Sequence, residues 1–402
     1  MPKFPKGLER TRLACYSAYF TMSSIFCLPA LLFTTFHSMY GISYTLLGTL
    51  VLTNFCTQLT VDLIFTLFTK YFNIKKVVRI MPLITSLGLA VYALVPTVFP
   101  QFAYVGLVAG TVLFSVSAGL SEVLLSPVIA AIPSDNPSRD MSLLHSLYAF
   151  GFFTVVVLST LFLRLFGSEN WWLLTLLLAA LPAISSALFF LSPMPEMDQG
   201  TAEKKPAPKS GFLMALFVAC IFFGSCAENA MGNWLPTYLE SALHIDKTLG
   251  DILGMAMFAI LLGLTRFGYA KYARNIWHIL LIGMVGSSVC YLTAALAGGT
   301  VAPFLACIFT GIFVAMLWPG ALILMEERLP HVGVAAYALM AAGGDLGASL
   351  APQLQGIVVD VVAQNTTEQV GMRAGMLVSA LFPLCGILVL LIIKHAKNRE
   401  VK

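Results

Sequence analysis

Charged residues are scarce in this chain. Aspartate, glutamate, lysine and arginine together make up 10% of its 402 residues, whereas they make up roughly 25% of an ordinary soluble domain. Between Ile80 and Ser134, Glu122 is the only residue of these four types. A chain so poor in charge cannot cover itself with a charged surface, which excludes the soluble globular class.

The chain also lacks the short motifs of nucleotide and metal chemistry. It has no GxxxxGK[ST] phosphate loop, no HExxH sequence and no glycine-rich dinucleotide turn. Its eight cysteines lie in apolar runs, and their spacing fits neither a disulfide framework nor a metal site. We therefore expect no enzyme activity, no cofactor and no bound metal, and an ATP-driven process would need a separate subunit.

Long apolar runs are what the sequence has instead. Apolar residues make up 58% of the chain, and they come in runs of about 20, the length that spans the roughly 30 Å hydrocarbon core of a bilayer. We predict an all-α membrane protein with twelve transmembrane helices. The predicted spans are 12–37, 44–69, 77–97, 102–130, 141–166, 171–192, 211–239, 247–270, 277–297, 302–325, 334–361 and 371–393.

One hydrophilic segment divides these spans into two sets of six. The stretch "SPMPEMDQGTAEKKPAPKS" is rich in proline, lysine and glutamate, which is typical of a flexible linker. We therefore predict an N-terminal six-helix bundle over 1–192, a cytoplasmic linker over 193–210 and a C-terminal six-helix bundle over 211–402.

The basic residues predict the orientation in the membrane. With both termini in the cytoplasm, only Arg164, Lys247 and Arg373 of the 23 lysines and arginines fall outside the cytoplasmic segments. The net charge of +4 therefore reflects topology beside anionic lipid and not nucleic-acid binding. We expect a cell-membrane protein whose partners are the lipid bilayer and a small molecule.

Two loops carry similar basic sequences. The second span ends in "FTKYFNIKKVVRI" and the eighth in "RFGYAKYARNI", at corresponding places in the two halves. With the two sets of six spans and the charged linker, these loops resemble the major facilitator superfamily. That resemblance implies two six-helix bundles, a substrate site near the middle of the membrane, alternating access and a monomer.

Three segments resemble one branch of that superfamily, the fucose/galactose/glucose proton symporters. They are "SAGLSEVLLSPV" in the fourth span, "LLHSLYAFG" in the fifth and "GSCAENAMGNWLPTYL" in the seventh. The first span departs from the branch because it carries no carboxylate between Leu13 and His37. The resemblance implies uptake of a sugar together with a proton.

Ionisable residues inside the spans are candidates for proton coupling, because a charge at the centre of a membrane helix is unfavourable by roughly 2.5–3.5 kcal/mol. These candidates are Glu122, Glu228, Asp345 and His145. Histidine titrates near neutral pH, which suits a proton relay. The alternative for each residue is a structural one: a carboxylate bonded to a neighbouring helix, or a packed histidine.

Polar and aromatic residues near these acids are candidates for substrate binding. Carboxylates and amides recognise hydroxyl groups, and aromatic rings pack on the apolar face of a sugar. The substrate candidates are Glu122, Glu228, Asn229, Asn233, Trp318 and Tyr148. Trp318 precedes Pro319, which we expect to kink the tenth helix. Trp234 offers a further indole, with an interfacial anchoring role as the alternative.

Four residues are candidates for gating or for contacts between bundles. Asn54, Gln58 and Asp62 recur at intervals of four and so share one face of the second helix. Arg266, near the end of the eighth span, is expected to form an ion pair, with Glu326 and Glu327 as candidate partners.

The sequence thus predicts a proton-coupled importer of a small polar solute such as a monosaccharide. Two alternatives remain open. An exporter of amphipathic compounds on the same fold would suit the 29 phenylalanines and 17 methionines. A membrane sensor or assembly protein that transports nothing would leave the buried acids without a purpose.

Overall fold

The computed structural model describes residues 7–68, 71–134, 137–195, 211–272, 275–329 and 334–400. Over these ranges the chain forms helices and no β-strand. Eleven helical segments in the described ranges are long and apolar enough to cross a bilayer. The prediction of an all-α membrane protein is confirmed.

Six long helices precede the linker. They are α1 Leu8–Tyr40, α2 Tyr44–Phe68, α3 Ile74–Val98, α4 Ala103–Ala131, α5 Pro137–Phe166 and α6 Trp171–Phe190. In α5 the apolar segment found among the described residues is Phe150–Phe166.

Six further helices follow the linker, and three of them are interrupted. They are α7 Gly211–Ser241, α8 Lys247–Leu249, Gly250–Ala256 and Met257–Tyr272, α9 Ile276–Leu296, α10 Val301–Val314 and Leu317–Arg328, α11 Val334–Ala363, and α12 Glu368–Ser379 and Leu381–Glu400. The middle part of α8 is a π-helix, a wider turn that often occurs at functional sites.

Backbone contacts divide the chain into two compact units. Unit 1 comprises Met1–Ile42 and Thr53–Gly200, and unit 2 comprises Ser43–Leu52 and Thr201–Lys402. The first turns of α2 are therefore part of unit 2, although they precede the linker in the sequence.

In unit 1, α4 packs tightly along its length. A Cβ atom on Gly88 of α3 would lie 2.6 Å from the backbone nitrogen of Phe114 in α4, so the two helices approach as closely as backbones can. Further along α4, Leu125 and Val128 are buried in an apolar cluster with Cys15 of α1. This packing fixes the rotation of α4 and hence the direction of its polar residues.

In unit 2, α7 and α11 are the closely packed pair. A Cβ atom on Gly347 of α11 would lie 2.4 Å from the carbonyl oxygen of Phe222 in α7. The indole of Trp234 is fully buried and donates a 3.0 Å hydrogen bond to the carbonyl of Pro352. Trp234 therefore joins two helices and is closed to a ligand, contrary to the expectation that its indole stacks on a substrate.

Candidate functional site

Glu122 lies on an exposed part of α4. Its charge acts on Tyr19 of α1 and on Asp62 of α2. Within the described ranges no lysine, arginine or histidine forms an ion pair with Glu122. The predicted candidate is therefore accessible and electrostatically uncompensated.

Asp62 packs against α4 one turn before Glu122. A Cβ atom on Gly119 would lie 2.8 Å from Asp62 Oδ1, so this carboxylate lies close against the glycine. Asp62 Oδ1 is buried and has no hydrogen-bond partner among the described residues. The structure thus brings together two acids, Asp62 and Glu122, that the sequence analysis assigned to different roles.

Asn54 and Gln58 are hydrogen-bonded to each other within unit 1. Asn54 Oδ1 accepts a 3.0 Å hydrogen bond from Gln58 Nε2 and a 2.6 Å hydrogen bond from Ser115 Oγ of α4. Asn54 is 7% exposed and Gln58 is 3% exposed. Because the hydrogen bond from Ser115 joins α4 to Asn54 of α2, its immediate effect is to hold together the two helices that carry Asp62 and Glu122.

Aromatic side chains flank this region. The ring of Tyr148 lies edge-on to those of Tyr19 and Phe26, with centroid separations of 6.4 and 5.8 Å, and Phe26 lies 6.0 Å from Phe55. Tyr148 was predicted, whereas Tyr19, Phe26 and Phe55 were not, because nothing in their local sequence distinguishes them from lipid-facing aromatics. His145, one turn before Tyr148, has a side chain outside the described residues.

In unit 2, Glu228 of α7 forms an ion pair with Arg266 of α8. Arg266 Nη2 lies 3.0 Å from Glu228 Oε1 and 3.2 Å from Oε2, and the two side chains are 41% and 22% exposed for Arg266 and Glu228 respectively. The expected pairing of Arg266 with Glu326 or Glu327 is wrong. Depth along a helix gives no information about which neighbour an arginine faces, and the side chain reaches α7 instead.

Arg266 also holds the interruption in α10. Its Nε donates a 2.8 Å hydrogen bond to the carbonyl oxygen of Ala315, which lies between the two parts of α10. Pro319 is four residues further on and has no N–H group, so the normal helical donor to this carbonyl is missing. The proline thus leaves an acceptor, and the arginine satisfies it.

Trp318 lies beside this interruption and packs on α11. A Cβ atom on Gly344 would lie 2.3 Å from two carbons of the Trp318 indole, so the ring contacts the glycine backbone directly. Trp318 and Asp345, the acid that follows Gly344 in α11, are both partly exposed. The prediction that the Trp-Pro-Gly sequence interrupts α10 is confirmed, although the break comes before the proline.

Asn229 and Asn233 use their amide groups within α7. Asn229 Nδ2 donates to the carbonyl and hydroxyl oxygens of Ser225 at 3.1 and 3.2 Å, and Asn233 Nδ2 donates to the carbonyl of Asn229 at 2.9 Å. Both side chains are partly buried. Among the described residues Asn229 Nδ2 makes two hydrogen bonds and Asn233 Nδ2 makes one, so both amide oxygens and one N–H of Asn233 are left for a ligand.

Solved structures with a similar fold are transporters. A bacterial homologue of the human lysosomal transporter Spinster matches with a TM-score of 0.76 at 12% identity, over 97% of each chain. A D-xylose–proton symporter matches with 0.75 at 13% identity, over 96% of this chain and 97% of the other. The nucleoside transporter NupG matches with 0.70 at 16% identity, over 96% and 98%.

At these identities the likeness concerns the fold alone. A search of curated protein sequences found no match. The sequence model of the Major Facilitator Superfamily, however, matches residues 13–352, which is most of the chain. The long apolar helices of the described ranges agree with that match. The chain belongs to the Major Facilitator Superfamily, a family of transporters and not of enzymes.

Proposed function

We propose that the protein takes up a small polar solute, such as a monosaccharide, together with a proton. The observation that carries this proposal is the setting of Glu122. A carboxylate inside a membrane helix is unfavourable as a lone charge, and Glu122 has no basic partner in the described part of the chain. A proton is the smallest group that neutralises it, and its exposure gives a proton access.

The surroundings of Glu122 support the same role. Asp62 lies close enough for the two charges to interact, and like charges at short range disfavour two ionised groups. One proton that binds together with the solute therefore removes both the unfavourable lone charge of Glu122 and its repulsion with Asp62. In this scheme Asp62 assists Glu122, and Asn54 and Gln58 keep α2 and α4 in the register that the acid pair requires. A gating role for Asp62 remains part of the proposal.

Glu228 is the better candidate for binding the solute. Arg266 balances its charge, and the ion pair holds the carboxylate in one position. An ionised carboxylate is a strong acceptor for hydroxyl groups. Asn229 and Asn233 add amide oxygens on the same helix, and Trp318 adds an aromatic face near the interruption of α10. In this arrangement Asp345 is a second proton-coupling candidate.

The aromatic side chains around Tyr148 suit the apolar face of a sugar ring. Tyr19 and Phe26 pack edge-on to Tyr148, and the charge of Glu122 acts on the phenol of Tyr19. Aromatic rings with a few polar groups are the usual composition of a small-molecule site. We propose that the protein works as a monomer in the cell membrane, with both termini in the cytoplasm.

The same aromatic side chains favour a second candidate, the export of amphipathic compounds. Phe26 contacts both Phe55 and Tyr148, and such a group of aromatic rings suits a lipophilic cation as well as a sugar. The two candidates differ in the ligand and in the direction of movement, so one set of experiments distinguishes them.

The first experiment is a thermal-stabilisation screen of the purified protein against sugars, polyols, carboxylic acids and lipophilic cations. Hits are then tested for uptake into proteoliposomes with and without an inward proton gradient. We expect a polar solute to stabilise the protein and the gradient to drive its accumulation. Stabilisation by lipophilic cations alone would replace this proposal with the exporter.

A further inference from the structure

A small cavity lies inside unit 1 where α1, α3, α4 and α6 meet, and it has room for about one water molecule. The first three of these helices each contribute one hydroxyl group to its wall. The three residues are Thr21 of α1, Thr85 of α3 and Ser121 of α4, and all of them are buried. Cavities that stay empty in protein interiors are lined by apolar groups alone, so this one differs from them.

The three hydroxyl groups donate their hydrogens to acceptors within the protein. Thr21 donates to the carbonyl oxygen of Ala18 at 3.0 Å, and Thr85 donates to the hydroxyl oxygen of Ser117 at 2.7 Å. Ser121 donates to the carbonyl oxygen of Ser117 at 2.8 Å. A hydroxyl group has one hydrogen and two lone pairs, so each of the three offers the cavity an acceptor and no donor.

The rest of the wall adds no side-chain donor. Pro82 of α3 and Ile25 of α1 are among the lining residues. Pro29, four residues after Ile25 in α1, has no N–H group, so the carbonyl oxygen of Ile25 lacks its usual helical donor. The residues around the cavity are therefore rich in acceptors, and the ligand that complements them is one that donates hydrogen bonds.

We propose that this cavity binds one water molecule, which donates one hydrogen to Thr21 Oγ1 and the other to Thr85 Oγ1 or Ser121 Oγ. A buried water needs roughly two to four polar partners, and these hydroxyl groups supply them. α3 and α4 are already bonded directly, since Ser117 donates to the carbonyl oxygen of Met81 at 2.5 Å. Within the described ranges the hydroxyl of Thr21 bonds only inside α1, so the water joins α1 to the other two helices.

The water site lies next to the residues to which we assign proton coupling. Tyr19 is two residues before Thr21, Glu122 directly follows Ser121, and the charge of Glu122 acts on Tyr19. A water that joins α1 to α4 at this level holds the spacing between the helices that carry these two side chains. The water site itself depends neither on the identity of the solute nor on proton coupling.

Radiolytic footprinting detects the water. X-ray irradiation of the full-length protein in lipid nanodiscs converts bound waters into hydroxyl radicals, which oxidise a neighbouring methionine to its sulfoxide. Met22 lines the cavity and is the reporter. Met231, which is fully buried in α7, is the reference. We expect Met22 to be oxidised about tenfold faster than Met231.

Thr21→Val removes an acceptor of the water and keeps the shape of the side chain. It should lower the oxidation rate of Met22 about fivefold, because the water then has no hydroxyl partner on α1. The matched control is Thr175→Val. Thr175 is a buried threonine of α6 whose hydroxyl donates to the carbonyl oxygen of Trp171 in its own helix at 2.9 Å, and it does not line the cavity. This control should leave the oxidation of Met22 unchanged.

A second variant covers the case in which Thr21→Val does not fold. Thr85→Val/Ser121→Ala removes the two acceptors on the other side of the water, and the same fivefold fall in Met22 oxidation is expected. A sodium ion would bind the same oxygens, so the melting temperature is also compared in sodium chloride and in choline chloride. We expect the two salts to give the same value.

Four results would overturn the proposal. The first is oxidation of Met22 no faster than that of Met231, which would mean a dry cavity. The second is equal oxidation of Met22 in the parent and in the acceptor-deficient variant, because bulk water would then be the source of the radicals. The third is an equal fall in Thr175→Val. The fourth is stabilisation by sodium that the acceptor-deficient variant abolishes, which would place an ion there instead. None of these results bears on the proposed uptake, because the footprint reports the cavity alone.

Discussion

Glu122 in α4 and Glu228 in α7 are both acids in the middle of long apolar helices, yet their surroundings differ. Glu228 is paired with Arg266 at 3.0 Å, whereas Glu122 has an acid, Asp62, as its charged neighbour. A compensated carboxylate keeps its charge and its position. An uncompensated one is more readily neutralised by a proton. In the function proposed here, Glu228 of unit 2 therefore serves solute binding and Glu122 of unit 1 serves proton coupling.

The largest expected effect is that of Glu122→Gln, which removes the titratable group and keeps its shape. Accumulation of solute against a gradient should fall by about 100-fold or more. The melting temperature should stay the same or rise, because an amide lacks the unfavourable charge. Uptake and thermal melting of the purified variant check both. Glu169→Gln, at an exposed acid before α6, is the control and should behave like the parent.

Arg266→Gln should be the next most damaging change. It leaves Glu228 uncompensated and Ala315 without its donor, and we expect uptake to fall about 30-fold and stability by about 2 kcal/mol. Removing one partner of a fully buried pair costs roughly 3–5 kcal/mol, and the loss is smaller here because both side chains are partly exposed.

A double-mutant cycle sharpens this result. If Arg266 acts through the charge of Glu228, the double variant Glu228→Gln/Arg266→Gln should be more stable than Arg266→Gln alone. Arg373→Gln is the matched control, since Arg373 donates to the carbonyl of Ala297 at 2.7 Å and forms no ion pair with a carboxylate among the described residues. If the effects of the two substitutions on stability were additive, Arg266 would not act through the charge of Glu228.

Pro319→Ala should have a smaller effect. It supplies the missing helical donor to the Ala315 carbonyl, which then competes with Arg266 Nε for that oxygen. We expect a continuous α10, unchanged or slightly higher stability, and uptake slower by about fivefold. Pro182→Ala is the control. It replaces a proline inside α6 of unit 1 and should not slow uptake, because it gives the Ala315 carbonyl no new hydrogen-bond donor. Normal uptake by Pro319→Ala would mean that the interruption has no part in the cycle.

Asn54→Ala should have the smallest effect. It removes the acceptor of two hydrogen bonds, one within α2 and one from α4 to α2. Hydrogen bonds between helices of membrane proteins contribute about 0.6 kcal/mol on average. A loss of about 1 kcal/mol with uptake reduced twofold to threefold is expected from melting and transport assays. Ser86→Ala, whose hydroxyl bonds within its own helix, gives the baseline, and a complete loss of uptake in Asn54→Ala would assign Asn54 a direct role.

The helices could be predicted from the sequence because apolar runs of about 20 residues have one stable form in a bilayer. The interruption of α10 was partly predictable, since Pro319 removes a hydrogen bond, but its position at Ala315 follows from the i−4 acceptor. Glu122 and Glu228 stood out as lone acids, and both are partly or fully accessible.

The contacts between helices could not be predicted in the same way. Arg266 is 38 residues from Glu228, and Asp360 is 316 residues from Tyr44. Which residues meet at such separations depends on the rotation and tilt of each helix, and these are set by packing at positions such as Gly119 and Gly347. No periodicity in a single sequence encodes them.

The most direct test of the account compares solute-driven proton movement in Glu122→Gln and Glu228→Gln proteoliposomes, with the solute found by the stabilisation screen. We predict that Glu122→Gln still binds and exchanges the solute across the membrane but moves no protons with it. Glu228→Gln should instead bind the solute weakly and keep protons and solute coupled in whatever transport remains. Normal proton movement by Glu122→Gln would contradict the account.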